Sequence, residues 1–163
     1  MEGWRPMVTA DLPELLANLA VRRRPGRWCM VTGVPVAGLA AAATVVEDEG
    51  VTAVVSVADA ERLGIEPGFV AAWLTLEVPS ALDIVGLTAA VATALAAEGI
   101  ACNVLAGYHH DHLLVPVDQA DRAITALAAL RSRSSGVAPG QQDATDHEGR
   151  RRVAAQETEA DPR

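Results

Sequence analysis

The chain has 163 residues, half of them apolar but only 3% aromatic, and carries a formal net charge of −8. That length allows one compact domain or two very small ones sharing a core built from Ala, Val and Leu. The acidic balance argues against nucleic acid or an anionic membrane surface as the main partner.

In chain order, Asp11 is placed to cap a short helix, with Pro13 in its first turn and Leu12, Leu15, Leu16 and Leu19 on one face. Arg22, Arg23, Arg24, Pro25 and Gly26 read as a basic break, followed by a strand over Arg27 to Thr32. Gly33 to Ala43 reads as either a Pro/Gly loop or a weak Ala helix. Two short strands, Thr44 to Glu47 and Val51 to Ser56, flank an acidic turn, and Ala58 to Leu63 follows as a short helix closed by Gly64. After the Glu66-Pro67-Gly68 break, Phe69 to Val78 alternates as a half-buried strand, with Ala72, Leu74, Leu76 and Val78 on one side.

Ser80, with Asp83 three residues on, has the spacing of a capping box. The helix it predicts buries Ile84, Leu87, Val91 and Leu95 and stops at Gly99. Ala101 to Ala106 and His112 to Val117 read as two strands around a turn at Gly107 to Asp111, and Asp118 caps a last helix. From Arg131 to Arg163 large apolar residues nearly vanish, so this stretch reads as a disordered tail. The second half is thus strand, helix, strand, strand, helix, and the first half is a looser copy. The expected class is α+β on the ferredoxin-like plan, with antiparallel sheets. The expected division is a first unit over 1–66, a second over 67–130 and the tail over 131–163. A final strand is missing from the second unit, and either Phe69 to Val78 or Arg27 to Thr32 could serve both units.

Three features could carry chemistry. The Val78 to Leu87 loop joins a strand end to a helix start, where free N–H groups attract a carboxylate or phosphate. The turn Tyr108-His109-His110-Asp111-His112 holds three of the four histidines. His110 and His112, two apart in a strand, would share a face and could ligate Zn²⁺ or Ni²⁺. An ordinary hairpin turn is the simpler reading, and no metal or other cofactor is expected. The arginine cluster lacks interleaved aromatics and reads as solvated rather than nucleic-acid binding. Cys29 and Cys102 form no C-x-x-C pair and read as buried thiols in a reducing compartment. No nucleophile elbow, P-loop or dinucleotide fingerprint occurs, so no catalytic residue is assigned. Met1 to Ala10 lacks a signal-peptide pattern, and Ile84 to Ala97 is too short to span a bilayer, so a cytoplasmic location is expected.

The stretch from Trp73 to Val117 carries a resemblance. Its Trp-Leu-Thr-Leu-Glu-Val, Val-Gly-Leu-Thr-Ala-Ala-Val and Gly-Ile-Ala-Cys-Asn-Val-Leu-Ala-Gly-Tyr-His-His-Asp-His segments resemble bacterial proteins with two ACT domains. Glu47 to Thr52 is similar to that family's first half. The resemblance implies a tandem of two ACT-like units, similar to the regulatory pair of aspartate kinases and to animal cytosolic arginine sensors. It implies a non-catalytic protein that binds a small molecule, expected to be an amino acid, as a homodimer. The residues it points to are Ser80, Val85, Gly86, Leu87, Asn103 and Val104, with His110 and His112 in the histidine turn. Pro79 and Ala81 replace residues that are often His and Ser in the family, which puts the choice of ligand in question. Two alternatives stand beside this reading: a protein-interaction module that needs no ligand, and a metal site on the histidine cluster.

Overall fold

A computed structural model describes residues 11–34, 39–78 and 84–135. The first helix, α1 (Leu12–Ala17), is capped by the Asp11 carboxylate, which accepts from the Glu14 N–H at 2.9 Å. Strand β1 (Ala20–Val31) follows. Then come β2 (Ala43–Glu47), β3 (Gly50–Ser56), α2 (Val57–Arg62) and β4 (Val70–Glu77). The second half supplies α3 (Leu87–Ala97), β5 (Asn103–Ala106), β6 (Asp111–Pro116) and α4 (Ala120–Ser135).

The six strands form one sheet in the order β2-β3-β1-β4-β6-β5, and every adjacent pair is antiparallel. Read inward from one edge, β2-β3-β1-β4 is a four-stranded ferredoxin-like sheet. Read inward from the other edge, β5-β6-β4-β1 repeats the same succession of roles. β1 opens the first unit and closes the second; β4 opens the second and closes the first. Both strands that the sequence left as candidates for sharing are therefore shared.

Four sequence expectations need correction, the first two along β1 and α3. Arg22 to Gly26 is not a break: β1 runs through it. Arg24 pairs with Trp73 and Trp28 with Ala71, so three residues of β1 stand opposite Ala72 alone. Gly26 takes φ 92° in this bulge, a conformation glycine adopts without strain. The second correction concerns α3, which starts at Leu87. Ile84, Val85 and Gly86 precede it and are not helical. The Ser80–Asp83 box lies outside the described residues.

One sheet face carries the main core. Leu74, Leu76, Leu113 and Val115 meet Leu15 and Leu16 of α1, Val91 and Leu95 of α3, and Ala123 and Leu127 of α4. Burying each such leucine is worth about 1.5–3 kcal/mol. On the same face by register, Cys29, Val31, Ala53 and Val55 pack against Val57 and Ala60 of α2. The opposite face carries Trp28, Val54, Ala71, Trp73 and Leu114, with Ala43, Phe69 and Leu105 beside them. No described helix covers it. Trp73 and Thr75 are nonetheless buried, so β4 is buried on both sides rather than half-buried. Helix α4 continues past Arg131 to Ser135, and residues 136–163 lie outside the described residues.

Candidate functional site

The residues singled out by the sequence fall into two groups on opposite sides of the sheet. Gly86, Leu87 and Val104 belong to the helix side. Gly86 is the N-cap of α3 at φ 99°, and the first helical bond runs from Ala90 N–H to its carbonyl at 2.9 Å. A Cβ added there would come within 2.8 Å of Leu12 Cδ2, so α1 packs directly on this turn. Leu87 is buried in the main core, and partly buried Val104 packs against it. Among the described residues no side chain caps α3, and its first turn holds no acid. Within that set the N–H groups at its start have neither an intrahelical nor a side-chain acceptor. Val85 beside them is 87% exposed. Ser80, like Pro79 and Ala81, lies outside the described residues.

Asn103 and His112 belong to the other side. Thr75, His112 and Leu105 form one cross-strand row, and Trp73, Leu114 and Asn103 form the next. His112 shares a 3.1 Å hydrogen bond between its Nδ1 and the hydroxyl of buried Thr75. Its ring lies 5.2 Å from that of Trp73. Burial depresses the His112 pKa; charge on His110, Arg24 and Arg22 pushes the same way, and Asp111 opposes them. Trp28 meets Trp73 edge-on at 5.2 Å, and the Arg24 guanidinium lies over both rings at 4.2 and 4.8 Å. Sequence reasoning missed Arg24, Trp73 and Thr75 as parts of this cluster. The period-two alternation of β4 put Trp73 and Thr75 on one face, but only the register with β1 and β6 shows what they meet.

The remaining arginines of β1 are held by acids: Arg22 by Glu77, Arg23 by Asp121 at 3.4 Å and Arg27 by Glu61 at 3.9 Å. Among the described residues, no three His, Cys, Asp or Glu side chains are grouped so as to hold a metal ion. His109 turns its ring edge-on to Tyr108 at 4.9 Å. Cys29 and Cys102 are unpaired, and burial raises the pKa of both thiols, which leaves them poor nucleophiles.

The chain matches the ACT-domain family twice in succession, at residues 9–72 and 68–129. A solved protein of unknown function from Vibrio cholerae, described as a possible transport protein, is 38% identical; the match covers 74% of this chain and 96% of that one, with a TM-score of 0.66. The chain belongs to the ACT-domain family. The ligand-free regulatory subunit of Thermus thermophilus aspartate kinase is similar at 14% identity, over 68% of this chain and 95% of that one, with a TM-score of 0.51. Clostridium acetobutylicum aspartate kinase is similar at 9% identity, over 69% and 34% of the two chains, with a TM-score of 0.50. At those identities the likeness shows the ACT fold alone. No curated protein matches the sequence. ACT domains are typically regulatory modules that bind small ligands and often oligomerise, and this chain carries two of them in tandem. Among the described residues no helix is long and apolar enough to cross a membrane.

Proposed function

We propose that this protein is a non-catalytic ACT sensor that binds a free amino acid at the strand-to-helix turn ahead of α3. The observation that carries the reading is the start of α3. Its N–H groups have no side-chain cap among the described residues, Gly86 turns the chain into them through a left-handed conformation, and exposed Val85 stands alongside. An α-carboxylate accepts hydrogen bonds from such N–H groups and is favoured by the helix dipole. The ammonium would be met by carbonyls of the same turn, in which we keep Ser80 as a candidate contact. The first unit (1–66) has no matching described helix between β1 and β2, so we assign one ligand per chain, held by the second unit (67–130). The unpaired thiols support a reducing, cytoplasmic setting.

A ligand that binds only the folded chain raises its melting temperature by mass action. A thermal-shift screen of the common amino acids should therefore give a concentration-dependent rise with one or a few of them. No rise with any amino acid would remove this reading.

An outer strand with exposed valines favours a second reading, in which the chain also pairs with another copy. β2 is the sheet edge, with Val46 83% and Val45 43% exposed. A bare edge of this kind accepts a further strand. The homodimer expected from the resemblance is proposed to form there.

A further inference from the structure

The sheet face that no described helix covers has a charge and hydrogen-bond pattern that the α3 turn does not explain. Arg24 is the one arginine of β1 without a carboxylate partner among the described residues. Its positive charge instead lies on the two indole rings. Trp73 is 3% exposed, yet its indole N–H has no hydrogen-bond partner. The Nδ1 of His110, two residues before His112, is likewise buried and unpartnered. Leaving a buried polar group unpaired is destabilising, so native proteins rarely keep one without a use for it. The arginines on this side are Arg22 and Arg24, with His110 and His112 beside them, whereas the nearby acids are Glu77, already taken by Arg22, and Asp111.

We infer that this face is a second ligand site, specific for a small carboxylate. One oxygen of the carboxylate would accept from the Trp73 indole N–H, and its charge would balance Arg24. His110 and His112 lie on the side from which it enters, and Asn103 and Leu105 form the exposed and half-buried rim. The turn over Gly107 to His110 is the gate. A single Gly107 N–H to His110 carbonyl bond of 3.1 Å closes it, and a Cβ at Gly107 would meet His112 Nε2 at 3.4 Å. That turn therefore sits directly on the imidazole and must lift for a ligand to reach the ring. The inference stands apart from the amino-acid reading, because the α3 turn and this cluster occupy opposite sides of the sheet.

The test is a titration of the full-length ¹⁵N-labelled chain with sodium acetate against a sodium chloride control of equal ionic strength. The chain has three tryptophans, and a Trp73→Phe variant identifies which indole signal belongs to Trp73. A saturable shift of that signal in acetate but not chloride is expected, with a matching rise in the His112 titration midpoint. Arg24→Gln should weaken acetate binding about tenfold, the effect of losing one charge-assisted contact. Its fold is checked by the unchanged backbone amide signals of α3 and α4, which lie on the other side of the sheet, in the acetate-free protein. If those signals move, Arg24→Lys, which keeps the charge, must retain binding. Shifts confined to the Leu87–Ala89 amides, equal shifts in chloride, or binding indifferent to Arg24→Gln would each overturn the inference.

Discussion

His112 shows how a single residue ties sequence to behaviour. Its ring is held between buried Thr75, the Trp73 ring and the Gly107 turn, facing Arg22 and Arg24 from β1 and neighbouring Asp111 on its own strand and His110 in the turn before it. The folded chain therefore holds its pKa below the ordinary value of about 6.5. The sign follows from proton binding: as pH falls, the unfolded chain takes up this proton first. The stability His112 contributes is full above the unfolded value and is lost as pH falls through the folded one. His112→Gln should flatten the stability profile as pH falls from about 7 through and below the ordinary histidine value of about 6.5. Denaturant midpoints across that range check it, and a slope equal to that of the parent chain would contradict it. The sequence showed His112 in a cluster of histidines, read as an ordinary hairpin turn with metal ligation as an alternative. It could not show that His112 faces Thr75 and Trp73, because those neighbours come from a strand about forty residues earlier and depend on register.

Among the elements, β1 was the least legible. Pro-Gly after three arginines has the composition of a loop, and local reading cannot tell a loop from a bulge inside a strand. What keeps this stretch extended is distant: Glu77, Asp121 and Glu61 hold its arginines, and Trp73 stacks under Arg24. The helix ending at Gly99 and the strands after it were legible because period and turn residues agreed there. The start of α3 was not, since Ile84 continues the helical spacing while Gly86 in a left-handed conformation interrupts it. Edge strand β2 carries a prediction of its own. Val46 touches little within the chain, so Val46→Lys should leave thermal stability within about 0.5 kcal/mol of the parent. The same lysine should convert a dimer to a monomer by repelling edge-to-edge pairing. Light scattering on the eluted protein reads this out, and an unchanged dimer mass would show that the copies meet elsewhere.

At the scale of the whole molecule, two ACT units are fused by exchange of their first strands. β1 and β4 lie side by side at the centre of one sheet, and each completes the other's unit. The repeat itself was visible in the order of predicted strands and helices, and the missing last strand already pointed to sharing. What the sequence left open was how the candidate ligand residues divide. Alternation along β5 separates Asn103 from Val104, so residues adjacent in the chain serve opposite faces. The sensor reading rests on the helix side, where α1 closes over Gly86 and the α3 backbone is left to receive a carboxylate. The most direct test follows the backbone amides of Leu87, Thr88 and Ala89 in the labelled full-length chain as each common amino acid is added. The account expects at least one amino acid to move these amides saturably and with a common affinity. If none of the three amides moves with any amino acid, the start of α3 is not a ligand site and the sensor reading fails.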